Sequence, residues 1–354
     1  MISHEEIESR VSGHSSRFIC TANHGFAPYA QEELRRKFGS VKSTVLVPGE
    51  IFLGTLDVSV GEATERLRME QPIFLRHIFP VQYQIGIVNG DKENAMEQLV
   101  ACLKHLHELH DAHVTVQARK ASHQCWDGTS NDLKEAVQMG ISDVVKEFVV
   151  KDAERIVSVL VTENAMFTGI SAPRDNLSDW NGGAVRFQKE EGQISRAKFK
   201  LLEAEKVFGI DFASFRDALD IGAAPGGWTS FLLERGLRVT AVDPAKMHPS
   251  LMASERLTYL QKNADSVKFR DNQFDLLVCD MSWSPKLTAK LVTGLLYSLS
   301  PGGTAVVTVK LLSKKPLALI KEVMDTFENA HMQIQRAKQL FHNRDEITLY
   351  MIKY

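Results

Sequence analysis

The residues best suited to chemistry lie in one run, Leu219-Asp220-Ile221-Gly222-Ala223-Ala224-Pro225-Gly226-Gly227-Trp228-Thr229. An apolar strand pattern feeds a turn with three glycines, and a helix pattern follows. Such a turn lets a ligand approach bare backbone N–H groups at a helix N-terminus. Asp243 ends the next strand pattern, 21 residues beyond Gly222, where a carboxylate can accept hydrogen bonds from both hydroxyls of a nucleoside ribose. A tight strand-to-helix turn with no ligand uses the same glycines, so the turn alone is weak. A dinucleotide fingerprint wants G-x-G-x-x-G. Here Ala224 stands where a pyrophosphate needs the second glycine, and Pro225 removes a donor. A cofactor that carries an amino-acid carboxylate suits the turn better.

Asp220–Trp228 resembles the first motif of the FtsJ-type ribose 2′-O-methyltransferases. The resemblance implies S-adenosylmethionine as cofactor, its methionine end held by Gly222, Ala224, Pro225, Gly226, Gly227 and Trp228. It also implies Asp243 on the cofactor ribose, Asp265 of Asn263-Ala264-Asp265 at the adenine, and Ser195 near the methionine carboxylate. Four more segments match the family in order. Ser195-Arg196-Ala197-Lys198-Phe199-Lys200-Leu201 is similar to its S-R-A-x-x-K-L helix and supplies Lys200. Val278-Cys279-Asp280-Met281 is similar to its strand ending in S-D-M and supplies Asp280. Val306-Val307-Thr308-Val309-Lys310 is similar to V-V-K-V and supplies Lys310. Asn343-Arg344-Asp345-Glu346-Ile347 is similar to S-R-E-V-Y and supplies Glu346, with Asp345 an adjacent candidate for the same place. The family's catalytic Lys-Asp-Lys-Glu set would then be Lys200, Asp280, Lys310 and Glu346.

The implied reaction needs such a set. A ribose 2′-hydroxyl ionises far above neutral pH, so a base must take its proton. In-line displacement requires the oxygen opposite the leaving sulfur. A lysine serves as base only when burial or another cation lowers its pKa. Lys310 is the expected base, the second lysine lowering its pKa. Asp280 would orient Lys310 and offset the sulfonium charge, while Lys200 and Glu346 position the ribose. No metal is expected. Taken singly, a lysine ending a strand is an ordinary edge residue, an aspartate after a strand an ordinary cap, and Glu346 beside Arg344 a surface ion pair. The family often has a proline shortly after the aspartate, as in D-M-A-P. Here Met281-Ser282-Trp283-Ser284-Pro285 puts Trp283 there, to stack on a base or to pack. The N/D-P-P-Y/F motif of amino-directed methyltransferases is missing.

These residues must be carried by strands and helices in regular alternation. A helix is expected over Ser195–Phe208, strands at Ala218–Ile221, Arg238–Val242, Thr258–Leu260, Phe274–Cys279 and Ala305–Val309, and intervening helices around Trp228–Arg235, through Leu287–Leu299, and over Leu317–Phe327. Ile334–Leu340 and Ile347–Ile352 should close as a hairpin. This is an α/β arrangement with a mainly parallel sheet. With the resemblance it becomes a Rossmann-like methyltransferase fold with a C-terminal antiparallel hairpin. Before it, a smaller α+β module is expected. Its strands are Phe18–Ala22, Ser43–Val47, Ile51–Leu53, His77–Val88 and Val114–Ala118, with a closing hairpin of Ile156–Val161 and Met166–Ile170. Its helices are Pro28–Phe38, a face through Ala95–Leu106, and Leu133–Phe148. Asn23-His24-Gly25-Phe26-Ala27-Pro28 and Phe167-Thr168-Gly169-Ile170-Ser171 resemble the two ends of the THUMP module of RNA-modification enzymes. The expected domains are 1–171, a turn-rich linker 172–192, and 193–354.

Composition sets the class. The 354 residues are 44% hydrophobic and 24% charged, with net charge −2, as in soluble globular proteins. No apolar run suits a membrane span, and the polar start Met1–Glu6 lacks a secretory pattern, so a cytoplasmic protein is expected. Residues 1–171 carry 17 Lys+Arg against 23 Asp+Glu, and residues 172–354 carry 25 against 21. Basic residues gather in Arg186–Lys206, Lys310–Lys315 and Arg336–Arg344, which is either a phosphate-binding face or a solvated mixed surface. Cys20, Cys102, Cys125 and Cys279 have no zinc or disulfide spacing, so reduced buried thiols are expected. His105, His107, His110 and His113 read as a solvated helix end. The implied partner is RNA, a cytidine of large-subunit ribosomal RNA by the whole-chain resemblance. A small-molecule O-methyltransferase and a non-catalytic RNA-binding factor remain open. The oligomeric state is open too, with a monomer as default.

Overall fold

The computed structural model describes residues 15–189, 191–311 and 315–354. The polar start Met1–Glu6 and Lys314 of the basic cluster lie outside them. The chain divides into two compact units, Met1–Ala184 and Val185–Tyr354.

The first unit opens with β1 (Ser16–Ala22), α1 (Ala27–Phe38), β2 (Val41–Val47), β3 (Ile51–Leu56), α2 (Val60–Met69) and β4 (Leu75–Pro80). They form an antiparallel sheet of order β2-β3-β1-β4, a split β-α-β arrangement. Helix α2 was not expected from the sequence. It starts at Ser59, whose hydroxyl accepts from the Glu62 N–H, and it buries Ala63 and Leu67. Glu33 of α1 binds this layer together, its carboxylate accepting from the Ile73 and Phe74 N–H groups at 2.7 and 2.9 Å.

A second sheet follows, from β5 (Tyr83–Gly86), α3 (Lys92–Lys104), β6 (His113–Lys120), α4 (Ser130–Ile141), β7 (Glu147–Phe148), β8 (Arg155–Val161) and β9 (Ala165–Ser171), in order β5-β9-β8-β6-β7. Three expectations are corrected here. His77–Val88 is not one strand, because the chain leaves the first sheet at Pro80 and enters the second at Tyr83. The helix from Leu133 ends at Ile141 rather than Phe148. Val144, Val145 and Phe148 still pack on its core, which explains the helical appearance, but Glu147–Phe148 pairs parallel with β6. The histidines are not on one helix end, since α3 stops at Lys104 and His113 begins β6.

The turn-rich stretch expected as a linker is tied to the first unit over much of its length. Gln117 donates to the Asp179 carbonyl, Asn181 to the Ala118 carbonyl, and Arg76 to the Gly182 carbonyl.

The second unit contains α5 (Lys198–Phe208), β10 (Asp217–Ile221), α6 (Gly227–Glu234), β11 (Arg238–Val242), β12 (Leu257–Leu260), β13 (Phe274–Cys279), α7 (Pro285–Leu295), β14 (Leu299–Lys310), α8 (Pro316–Asn329), β15 (Met332–Lys338) and β16 (Glu346–Lys353). Its seven-stranded sheet has order β12-β11-β10-β13-β14-β16-β15. Strands β10 to β14 run parallel, and β16 enters antiparallel between β14 and β15. This is the Rossmann-like sheet with its terminal antiparallel hairpin. Leu219, Leu277, Val278, Val306 and Val307 are all buried, as continuous apolar strands covered on both faces must be. The strand order reverses between β10 and β13, the place where such sheets open a ligand crevice at their carboxyl ends. Among the described residues no helix is long and apolar enough to cross a membrane.

The crossing between the two sheets of the first unit yields a stability prediction. Gln82 N–H donates to the Thr168 carbonyl at 3.0 Å, which lays the Pro80 backbone on Gly169. A Cβ at Gly169 would come 1.8 Å from the Pro80 carbonyl oxygen. Gly169→Ala should therefore destabilise the chain by about 1–3 kcal/mol or more, measured as a lower urea midpoint at unchanged slope.

Candidate active site

Four chain segments end at the crevice. Gly222 follows β10, Asp243 follows β11, Asp280 follows β13, and Lys310 is the last residue of β14. Helix α5 lies over them and is fixed from both ends. The Trp228 indole N–H donates to the Ala197 carbonyl at 2.9 Å, Lys198 pairs with Glu234, and Arg235 grips Glu205 through two bonds of 2.7 Å.

The glycine turn is held from several sides. Gly222 and Gly226 have φ of +74° and +114°, where side chains are strained. An added Cβ at Gly222 would lie 2.5 Å from Met281 Cγ, so the turn sits directly against the neighbour of Asp280. A Cβ at Gly227 would lie 3.0 Å from Ser195 Cβ, which brings Ser195 to the turn. The Ala224–Pro225 bond is cis. Asp243 accepts from the Ala224 N–H at 3.1 Å and the Ala245 N–H at 2.7 Å. Helix α6 begins at Gly226 without a side-chain cap. Asp265 stands apart, exposed in a groove that Trp283 also lines.

The four ionisable residues meet. Lys200 Nζ lies 2.9 Å from both Asp280 oxygens and 2.6 Å from Glu346 Oε1. The other Glu346 oxygen accepts from Lys310. Lys310 and Glu346 face each other in the β14–β16 register. The pairing thus runs Asp280–Lys200–Glu346–Lys310. Glu346 is 2% exposed, whereas Asp345 is exposed and its carbonyl accepts from the Leu311 N–H. The residue that joins the two lysines is therefore Glu346.

Two expectations change. Glu346, not Asp280, holds Lys310, because the Asp280 carboxylate is taken by Lys200 and by the Thr308 hydroxyl at 2.8 Å. The lysines do not simply depress one another. Burial lowers the Lys200 pKa, but Asp280 and Glu346 outweigh it and hold the ammonium above its ordinary value. Burial raises Glu346, and the two lysines more than reverse this, leaving its pKa lowered.

Sequence reasoning passed over four supporting residues. Thr308 is two positions before Lys310 on a strand and so shares its face. Asn343 accepts from Leu340 N–H and Thr348, and its amide reaches Glu346 at 3.4 Å. Glu203, one turn after Lys200 on α5, accepts from the Phe341 and His342 N–H groups at 2.7 and 2.9 Å. Asp220 is buried and accepts from the Thr229 hydroxyl at 2.7 Å. Burial pushes its pKa up to about 7, with the Asp280 and Asp243 charges adding to the rise and the Thr229 bond opposing it.

Residues 193–342 match the model of the FtsJ-like methyltransferase family. That stretch, within the second unit, is similar to an FtsJ-like methyltransferase domain. The chain is also 36% identical over 196 residues to ribosomal RNA large subunit methyltransferase M of Psychromonas ingrahamii, covering 52% of this chain and 53% of that protein. Proteins of the same name from Idiomarina loihiensis and Halorhodospira halophila are 36% and 34% identical over 186 and 188 residues. Those matches cover 48% and 52% of this chain, and 49% and 53% of the relatives. The chain spans about half the length of the curated relatives it matches. Glu346 lies beyond the residues matched to the FtsJ-like family model, and its inclusion in the site rests on the distances above.

Two measurements test how the second unit holds this site. Glu203→Ala should speed hydrogen exchange at the Phe341 and His342 amides by roughly 10- to 100-fold, the effect of losing charge-assisted bonds. Asp220 has a folded pKa above the ordinary aspartate value. Its contribution is fully present below about pH 4 and is lost as pH rises through 7. Asp220→Asn should therefore gain stability relative to wild type between pH 5 and pH 8, by roughly 2–3 kcal/mol, read from urea unfolding at the two pH values.

Proposed function

We propose that the chain methylates a ribose 2′-hydroxyl of RNA using S-adenosylmethionine, with a cytidine of large-subunit ribosomal RNA as the target. The observation that carries this reading is the Asp280–Lys200–Glu346–Lys310 chain beside the glycine turn. The relatives named for ribosomal RNA methylation support the substrate class.

The residues present fit the cofactor. The start of α6 has no side-chain cap and so suits an amino-acid carboxylate. Gly222, Ala224, Pro225, Gly226, Gly227 and Trp228 would hold that end, with Ser195 alongside. Asp243 would hold the ribose and Asp265 the adenine. When bound, S-adenosylmethionine supplies a methyl group on a positively charged sulfur.

The chain's own residues handle the proton and the orientation. Lys310 accepts the proton of the 2′-hydroxyl. Glu346 fixes the position of Lys310 and accommodates the ammonium that forms. Lys200 stays protonated and ties Glu346 to Asp280. The Asp280 carboxylate, at the end of β13, favours a cation beside it. Thr308 keeps the Asp280 carboxylate turned toward Lys200. A cytoplasmic location belongs to the same reading, since that is where the substrate RNA would be met.

Methyl transfer to purified ribosomal RNA, mapped as a position resistant to alkaline hydrolysis, tests the proposal. Lys310→Ala should reduce transfer by about 10²- to 10⁴-fold with cofactor affinity retained. Unchanged modification by that variant would refute the assigned base.

A further inference from the structure

A groove of about 620 Å³ runs along α7, between that helix and residues 265–269. Its walls include Val267, Phe269, Trp283, Leu287, Leu291 and Tyr297. Three of these are large apolar side chains left open to solvent, Trp283 at 42%, Leu287 at 56% and Tyr297 at 38%. The Tyr297 hydroxyl accepts from the Phe269 N–H at 2.9 Å, which fixes the far end.

Two features point to an occupant. Gly294 lies in the groove lining on α7, and a Cβ added there would meet nothing within 4 Å. Glycine weakens a helix relative to alanine, and no packing among the described residues requires it at this point. The space above it is available to something else. Lys268 and Lys290 also line the groove and have no ion pair among the described residues, against one acid, Asp265. Lys286 nearby is already paired with Glu322. Flat aromatic surface beside unneutralised ammonium groups matches bases and phosphates. An apolar protein helix would fill the trough but leave both lysines without a counter-charge.

We infer that this groove binds unpaired nucleotides of the substrate RNA, stacked on Trp283 and Tyr297, with phosphates toward Lys268 and Lys290. The inference rests on the RNA reading above and adds a second place where the strand is held, next to the expected adenine contact at Asp265. The target ribose itself belongs at Lys310.

The test uses the full chain and three probes: a fluorescent oligouridine of about ten nucleotides, S-adenosylmethionine, and purified ribosomal RNA. Gly294→Leu fills the groove with a good helix former, and Lys290→Glu reverses its charge. Each should raise the Kd for oligouridine by about tenfold, the scale of one lost stacked base. Each should also raise KM for ribosomal RNA, with S-adenosylmethionine affinity unchanged and Tm not lowered. If Lys290→Glu weakens binding and Gly294→Leu does not, the lysines act only as a general charge and the nucleotide groove is refuted. If wild type methylates ribosomal RNA and both variants match it in oligouridine Kd and in KM, the groove falls while the RNA reading stands. If wild type neither binds nor methylates RNA, both fall.

Discussion

Everything in the second unit is arranged around one buried carboxylate. Glu346, 2% exposed, sits between the ammonium groups of Lys200 and Lys310. Moving a carboxylate out of water costs several kcal/mol, and only close, well-oriented cations offset that cost. The two cations come from α5 and from the end of β14, so Glu346 can be buried only when both elements are in place. Asp280 joins through Lys200 and brings in the end of β13. The polar centre thus works as a consistency check on the fold, since any element out of position leaves a charge without its partner.

The apolar parts of this fold were the easiest to read. Parallel strands buried on both faces appear as continuous runs such as Phe274–Cys279 and Ala305–Val309, and their ends are where the ionisable residues stand. The site was legible for a different reason, namely that several short motifs occur in one order. Motifs did not reveal who pairs with whom. Asp345 and Glu346 are equivalent as text, and only the pairing of β16 with β14 decides between them. The partner of Lys310 and the rise of the Lys200 pKa likewise depend on distances across strands. The first unit was harder because its breaks are geometric. Pro80 sits inside an apolar stretch and ends one sheet, while Tyr83 three residues later begins another.

The same local device appears in both units. Glu33 accepts two successive backbone N–H groups at Ile73 and Phe74, and Glu203 does so at Phe341 and His342. Each carboxylate projects from a helix and captures a turn far along the chain, 40 residues away for Glu33 and 138 for Glu203. In the second unit the device has chemical weight, because the captured turn leads through Asn343 into Glu346. One face of α5 therefore both supplies Lys200 and holds the segment that delivers its partner.

The last strand also sets the position of Glu346 by apolar means. Ile347, Leu349 and Met351 are fully buried on one face of β16, while Glu346 and Thr348 point the other way. Sliding the strand by one residue would exchange the two faces and turn the acid away from both amines. Oily side chains thus act as the ruler that measures where the Glu346 carboxylate sits. A methyl group misplaced behind the sheet would accordingly be felt in front of it as a misaligned charge.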